Sequence, residues 1–357
     1  MKAGKMFSLV AASLVGVGAL SACGQSTASS SPSAGASKKL VDFIFTGYAY
    51  PYFAPMAQAV KQAAKFYPNL NIKIIDANNS ASQEIADIKE ALANNAKGII
   101  LNPVTSAVTS AAQQAMSQGV PVVTIDRDVA SPSARDVFVG DNDVQLGYLQ
   151  TEYALKYLAQ HHIAKPWHVA ILQGTLGSSV AIGRLNGAMK ALKPYVHNGS
   201  AKIVLNQSAN FATNTAQTMV SEFLAKTTNV QLIVASNDAM ALGAILAVKD
   251  AGLKPGKNIF IAGADAQPQS LTDIKKGTQL DTVTHPPFVE AYWAVEAIDN
   301  ILQYHIKPPA SKYPKGNIII PMTLVTKKNV NTVSAWGTPH TVPPLPYGHS
   351  SAHAVSP

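Results

Sequence analysis

The chain has 357 residues, of which 47% are hydrophobic and 13% charged, with a formal net charge of +8 at pH 7. This length and apolar content suit about two domains with substantial cores. No run of five or more basic residues occurs, so the charge does not indicate nucleic-acid binding. The single cysteine, Cys23, excludes an intramolecular disulfide and a cysteine zinc site.

The N-terminal segment has the pattern of a secretory signal. Lys2 and Lys5 precede an apolar run over 6–20 that is short for a membrane anchor and ends in small residues. Leu20-Ser21-Ala22-Cys23 resembles the bacterial lipobox, in which the cysteine is acylated; an uncleaved anchor is the alternative. We predict a signal peptide over 1–22, lipidation of Cys23, a flexible Ser-rich linker over 23–39, and a folded part outside the cytoplasmic membrane, in the periplasm or at the cell surface.

From Leu40 onward, short apolar runs alternate with helical stretches. This alternation predicts βαβ units and parallel sheets, and nine strands fit two similar doubly wound lobes of an α/β fold better than one sheet. The predicted strands are Val41–Phe45, Ile72–Ile75, Gly98–Leu101, Val120–Ile125, His168–Leu172, Lys202–Leu205, Leu232–Ala235, Ile259–Ala262 and Leu280–Thr284. The predicted helices are Phe53–Phe66, Ser82–Asn95, Ser106–Gln118, Asp143–Gln160, Ser178–Leu192, Asn214–Ala225, Asp238–Ala251 and Pro287–Gln303.

Polar side chains follow nearly every predicted strand. The carboxyl ends of parallel strands border the ligand crevice of an open α/β sheet, so these residues are expected to meet there. Carboxylates accept hydrogen bonds from hydroxyl groups, whereas Arg and Asn donate them, so the set suits a polyhydroxylated ligand. The residues are Thr46, Asn102, Asp126, Arg127, Gln173, Asn237, Asp238, Asp265 and His285.

The stretch VVTIDRD places three charges at the end of a buried strand. We predict that Asp126 and Arg127 bracket a vicinal diol with charge-assisted hydrogen bonds, and that Asp128 only holds the turn. Aromatic residues after the first strand, together with Phe211, would supply flat surfaces for the apolar face of a sugar ring. For each polar residue singly, helix capping is the alternative, and we expect it for Asp143 and Asp238.

Enzymatic motifs are missing from the sequence: it has no nucleophile elbow, P-loop, H-E-x-x-H or dinucleotide fingerprint. Gly174–Ser178 lacks the lysine of a phosphate-binding loop. His161-His162, and the irregularly spaced His340, His349 and His353, do not predict a metal site. We therefore expect no enzyme activity, no catalytic residue, no cofactor and no metal.

Six motifs carry a resemblance to a known family. They are Tyr50-Pro51-Tyr52-Phe53, Leu101-Asn102-Pro103, Thr124-Ile125-Asp126-Arg127, Gly140-Asp141-Asn142, the run Asn237 to Ala244, and Gly263-Ala264-Asp265. On these motifs, from about Val41 to Val325, the chain resembles the periplasmic sugar-binding proteins of ABC transporters, of the ribose-binding type. Their type I fold is shared with the ligand domains of lac-repressor-type regulators.

The resemblance implies a ligand site built from both lobes. It assigns the binding of sugar hydroxyls to Asp126 and Arg127 from the first lobe, and to Asn237 and Asp265 from the second. It places Tyr52 and Phe53 on one side of the sugar ring and Phe211 on the other. The further positions that it implies are Thr46, Tyr50, Asn102, Ile182 and His285.

Three positions depart from the ribose-binding pattern. Tyr50 stands where the family has Asn, Ile182 where it has a ligand-binding Arg, and His285 where it has Gln, while Arg184 is nearer the family's structural position. These departures argue against ribose in particular. The predicted ligand is a monosaccharide, a deoxy sugar or a polyol.

The resemblance also implies two lobes joined by a three-stranded hinge, with crossings near Gly140, His285–Pro286 and Ile320–Pro321. The predicted boundaries are 40–140 with 286–320 for the N-terminal lobe, 141–285 with 321–336 for the C-terminal lobe, and 337–357 for a disordered tail rich in Pro, His and Ser.

The predicted function is capture of the sugar by a monomeric, lipid-anchored receptor and its delivery to an ABC transporter permease. A sensor of the same fold, acting on a membrane kinase or chemoreceptor, is the alternative. A secreted enzyme acting on sugars would need paired carboxylates flanking a bond, for which Asp126 and Asp265 are the only tempting pair. A transcription regulator would need an N-terminal helix-turn-helix where the signal peptide lies.

Overall fold

The computed structural model describes residues 37–336 and 340–355, so the predicted signal peptide and Cys23 lie outside the described residues. The strands are β1 (Lys39–Phe45), β2 (Leu70–Asp76), β3 (Gly98–Asn102), β4 (Val122–Ile125), β5 (Val137–Gly140), β6 (Trp167–Gln173), β7 (Ala201–Ser208), β8 (Leu232–Ala235), β9 (Phe260–Ala262), β10 (Asp281–Val283), β11 (Asn317–Ile319), β12 (Leu324–Thr326), β13 (His340–Val342) and β14 (His353–Val355). The helices are α1 (Phe53–Ala63), α2 (Ala81–Ala93), α3 (Thr109–Ser117), α4 (Asp143–Gln160), α5 (Ser179–His197), α6 (Thr213–Lys226), α7 (Asp238–Asp250), α8 (Pro268–Lys276) and α9 (Pro287–Tyr304).

Two six-stranded sheets form the core of the fold, with strand orders β11-β5-β4-β3-β1-β2 and β12-β10-β9-β8-β6-β7. The strand pairs are parallel except for β12, which pairs antiparallel with β10. The predicted α/β fold with two similar doubly wound lobes is therefore confirmed. We call the first sheet with α1, α2, α3 and α9 lobe 1, and the second sheet with α4 to α8 lobe 2. The chain passes between the lobes after β5, after β10 and after β11.

Helices cover both faces of each sheet, which explains why the strands read as continuous apolar runs. In β1, Val41, Phe43 and Phe45 pack in one buried cluster with α1 and α9. Ile44 points to the opposite face and packs in another cluster with residues of α2 and α3. The alternation of side chains along a strand thus divides the lobe 1 core into two layers.

Close contact between α4 and α5 depends on a glycine. A Cβ atom added at Gly147 on α4 would lie 2.1 Å from the carbonyl oxygen of Arg184 on α5. Only glycine lets the two backbones approach this closely. The approach brings the Arg184 side chain to Asp143, with 3.0 Å between Nε and Oδ1.

The C-terminal segment corrects one prediction, because residues 340–355 are not a disordered tail. β13 and β14 pair as an antiparallel hairpin, and Val342, Leu345, Tyr347 and His353 are buried. Glu296 of α9 anchors the hairpin: it accepts hydrogen bonds from the Leu345 amide at 2.9 Å and the Ser350 hydroxyl at 2.9 Å. Apolar residues spaced among the prolines therefore cover α9. The Pro, His and Ser content of the segment wrongly indicated disorder.

Among the described residues, none of the helices has the length and apolar character needed to span a membrane.

Glu84 on α2 predicts a pH dependence of stability. It is fully buried, its Oε2 accepts a hydrogen bond from the Val104 amide at 2.8 Å, and burial raises its pKa to about 8. Because this pKa is higher in the folded than in the unfolded chain, the stabilisation is complete below about pH 4.5 and is lost as the pH rises through about 8. Glu84→Gln should flatten the fall in melting temperature between pH 5 and pH 9, because it removes a loss of unfolding free energy of at most about 1.4 kcal/mol per pH unit.

The control is Glu222→Gln, at an exposed position of α6. It should leave the pH profile of the melting temperature unchanged. A Glu84→Gln profile that coincides with that of the parent protein would contradict the assignment.

Candidate functional site

A cavity lies between the two lobes at the carboxyl ends of their strands. Nine of the residues predicted from the sequence line it, together with Pro51, Val180 and Arg184. The nine are Tyr50, Tyr52, Phe53, Asp126, Arg127, Phe211, Asn237, Asp265 and His285. Thr46 and Asn102 are fully buried behind this lining, whereas Ile182 is half exposed and lies outside it.

Three of the lining residues have a backbone conformation that side chains other than glycine rarely adopt. Asp126 has φ of 61°, Phe211 of 57° and Asp265 of 103°. Such conformations persist only where the surroundings hold them, and they cluster at functional sites. Asp126 belongs to lobe 1, whereas Phe211 and Asp265 belong to lobe 2. Both lobes therefore contribute residues with a constrained backbone to the cavity.

Asp126 is held by an amide from the neighbouring strand. Asn102 Nδ2 donates hydrogen bonds to Asp126 Oδ2 at 2.9 Å and to the carbonyl of Ile125 at 3.0 Å. Thr46 in turn donates from its hydroxyl to the Asn102 carbonyl at 3.2 Å. Burial raises the pKa of Asp126, while Arg127 lowers it. Thr46 and Asn102 thus position the carboxylate from behind.

The Arg127 guanidinium lies between two aromatic rings, one from each lobe. It is 5.2 Å from the ring centre of Phe53 and 5.6 Å from that of Phe211. Its Nη1 donates to the Val104 carbonyl at 3.0 Å, and its Nε is 3.8 Å from Asp126 Oδ2. The guanidinium thus occupies the space between the rings, and the cavity that remains has a volume of only about 30 Å³.

Arg184 organises the lobe 2 side of the cavity, a role that the sequence analysis missed. Its Nη1 donates to Asp265 Oδ1 at 2.7 Å and to the Ser236 carbonyl at 2.7 Å, while its Nε pairs with Asp143. A signal for this role was present, because Arg184 falls among the buried positions of α5, where a cation requires partners.

His285 joins the lobes beside the hinge. Its Nε2 is 2.9 Å from Glu290 Oε1 and 3.3 Å from Asp126 Oδ1, and Tyr52 stacks on its ring with 4.6 Å between ring centres. The Tyr52 hydroxyl donates to Glu290 Oε2 at 2.7 Å. Burial raises the pKa of Glu290. Tyr52, which the resemblance places against the ligand ring, therefore stacks on His285 in this structure.

A metal ion could be held by Asp126, His285 and Glu290, whose ligand atoms lie within 4.8 Å of one another. The Arg184 guanidinium argues against this: its Nη2 lies 2.7 Å from His285 Nδ1 and places a fixed positive charge beside the group. The same Nδ1 is 3.2 Å from Asp265 Oδ1, so the ring is already surrounded by charged partners.

Some polar residues near the cavity have one of two other roles, capping a helix or holding a turn. Asn237 Oδ1 accepts from the Met240 amide at 2.9 Å, so Asn237, rather than the expected Asp238, caps α7. Asn142, rather than Asp143, caps α4. Asp128 accepts two 2.7 Å hydrogen bonds from Arg135 and does not itself line the cavity.

Phe211 packs against Gly174, which gives a prediction for the cavity. A Cβ atom at Gly174 would lie 2.0 Å from Phe211 Cζ, so the ring would have to move. Gly174→Ala should weaken ligand binding about tenfold, since a displaced Phe211 ring would lose ligand contacts worth about 0.5–1.5 kcal/mol. The measurement is ligand affinity by calorimetry, with circular dichroism to check the fold; unchanged affinity in a folded variant would rule out Phe211 as a ligand contact.

Two lobes that meet at a cavity of polar and aromatic side chains define a two-lobed solute-binding fold. The chain matches the family described as "Periplasmic binding protein domain" over residues 41–305, and it belongs to that family.

The similar proteins are solute-binding proteins. The ribose import binding protein RbsB of Bacillus subtilis is 29% identical, with 78% of this chain and 84% of that protein covered. The galactofuranose-binding protein YtfQ of Escherichia coli is 28% identical, over 73% of this chain and 83% of that protein. The crystal structure of the Caulobacter myo-inositol binding protein bound to myo-inositol superposes with a TM-score of 0.74 at 27% identity, covering 83% of this chain and 95% of the other.

Proposed function

We propose that the protein is an extracytoplasmic solute-binding lipoprotein that captures a monosaccharide or related polyol between its lobes and delivers it to an ABC importer. The observation that carries the proposal is the cavity between the lobes, where Asp126 and Arg127 face Asn237 and Asp265. Carboxylate, guanidinium and amide groups together match the mixed donors and acceptors of neighbouring hydroxyl groups.

Ligand entry requires the lobes to separate or Arg127 to move. A volume of about 30 Å³ holds no more than a few water molecules. Three chain crossings between the lobes provide a hinge, and closure around the ligand would distinguish the loaded protein for its transporter. The ring of a bound sugar between Phe53 and Phe211 would take the place of the Arg127 guanidinium. Arg127 would then be free to bind hydroxyl groups of the sugar.

The ligand class is tested by thermal unfolding against a panel of monosaccharides and polyols. One or a few members at millimolar concentration should raise the melting temperature, because a ligand that binds only the folded state stabilises it. Amino acids at the same concentration are the control and should give no shift. A panel without any shift would contradict the sugar assignment.

Anchoring through Cys23 is part of the same proposal and rests on the lipobox-like sequence alone. Cys23→Ser should move the protein from the membrane fraction to the soluble fraction and abolish labelling by a radioactive fatty acid. Ligand binding by the released protein should be unchanged. Lipid labelling that persists in the variant would refute the assignment.

A further inference from the structure

A second cavity lies on lobe 2, at the sheet edge opposite the ligand cavity. Its lining includes Phe260, where β9 begins, and Gln279 and Leu280, which precede β10. Strands of a parallel sheet begin at the edge away from their carboxyl ends, so this cavity is separate from the one between the lobes. Its volume of about 610 Å³ is within the range of small-molecule sites.

The lining of this cavity, which we call the lysine cavity, is strongly positive. None of its residues is Asp or Glu. Five are lysines, namely Lys249, Lys254, Lys257, Lys276 and Lys327. All five are exposed. The ion pairs that lysines form in the described part of the chain involve Lys73, Lys156 and Lys307 instead. Five lysines therefore line one cavity, and none of them is ion-paired with a carboxylate of the described residues.

Helix electrostatics explain only part of this arrangement. Lys249 and Lys276 lie in the last turns of α7 and α8, where a cation complements the carbonyl end of the helix dipole. Lys254 and Lys257 lie beyond α7 in the connection to β9, and Lys327 follows β12. These three lysines come from two separate segments, and the helix dipole does not account for their positions at the cavity.

Aromatic side chains form another wall of the lysine cavity. Tyr153 and Tyr157 of α4 line it with Phe260, and the Tyr157 and Phe260 rings are 5.3 Å apart between centres. The cavity thus offers a flat apolar surface beside clustered positive charge.

We propose that the lysine cavity is a second binding site, for a ligand that carries several phosphate groups. Several ammonium groups around one space are best neutralised by a multiply charged anion. Lysine acts as a point charge toward phosphate, whereas recognition of planar carboxylates favours arginine, which the lining lacks. The site requires no sugar and is independent of the proposed function.

The test is a calorimetric titration of the purified protein with sodium tripolyphosphate at low ionic strength. Saturable binding is expected, and it should weaken at least about tenfold in about 0.5 M salt because the charges are exposed and screened. The double variant Lys254→Gln/Lys257→Gln should bind at least about tenfold more weakly, since it removes two of the five cations.

The matched control is Lys89→Gln/Lys97→Gln, which makes the same charge change at exposed positions of lobe 1 and should bind as the parent protein does. No saturable binding, or equal weakening by both pairs, overturns the proposal. The sugar-dependent melting shift should persist in Lys254→Gln/Lys257→Gln, which separates the two proposals.

Two further binding measurements, with ATP and with phosphatidylglycerol vesicles, identify the source of the phosphate groups. ATP that binds more tightly than tripolyphosphate would indicate a nucleotide whose base stacks on the aromatic wall. Retention by phosphatidylglycerol vesicles that is displaced by tripolyphosphate would indicate phospholipid headgroups. Tripolyphosphate that binds most tightly would indicate a free phosphate chain.

Discussion

Replacing Asp126 by alanine is expected to abolish ligand binding while the protein remains folded. The buried carboxylate borders the cavity and is held in place by Asn102. Each hydrogen bond to a charged group contributes about 1.5–3 kcal/mol, so losing two of them should weaken affinity at least about 100-fold. Asp126→Asn should have a smaller effect, because Asn also tolerates the positive φ of 61° at this position.

The matched control lies two residues further on. Asp128 belongs to the same IDRD stretch but pairs with Arg135 instead of facing the cavity. Asp128→Ala should therefore lower the melting temperature and leave ligand affinity unchanged. Full binding by a folded Asp126→Ala variant would exclude Asp126 from the site.

Glu296→Ala should produce the largest loss of stability among these variants. Besides Leu345 and Ser350, the fully buried carboxylate contacts His353 Nε2 at 3.0 Å. Removing it leaves buried donors of the C-terminal hairpin without an acceptor, and each unsatisfied buried donor typically costs about 1–3 kcal/mol. The free energy of unfolding in urea measures the loss.

Limited proteolysis tests whether this loss of stability arises from release of the C-terminal hairpin. In Glu296→Ala the segment 340–355 should be cleaved much sooner than in the parent protein, because the hairpin is released from α9. The control Glu222→Ala, at an exposed position on α6, should change stability by no more than about 0.5 kcal/mol. A hairpin that remains as resistant as in the parent would show that Glu296 does not hold it.

The fold could be predicted because its signals are local. Continuous apolar runs alternating with amphipathic stretches identify parallel strands and their crossover helices. Six elements were missed: α8 and the strands β5, β11, β12, β13 and β14. α8 carried usable signals, since Pro268 begins it and Gly277 follows it in the left-handed conformation. The hairpin at 340–355 was missed because its order depends on a distant partner, Glu296.

Site residues that follow strands could be predicted, whereas charged residues within buried helix faces could not. Asp126, Asn237 and Asp265 were found by their positions after apolar runs. Arg184 and Glu290 are charged residues within buried helix faces, and only the fold brings them to His285. The position of the Arg127 guanidinium between Phe53 and Phe211 depends on the approach of two lobes, which no local pattern encodes.

The central claim is that both lobes bind one sugar or polyol in the cavity between them. Isothermal titration with the panel member that gives the largest melting shift tests it most directly, using the parent protein, Asp126→Ala from lobe 1 and Asp265→Ala from lobe 2. A single site is expected in the parent protein, and loss of binding is expected in each folded variant. Undiminished affinity in either variant would contradict a site shared between the lobes.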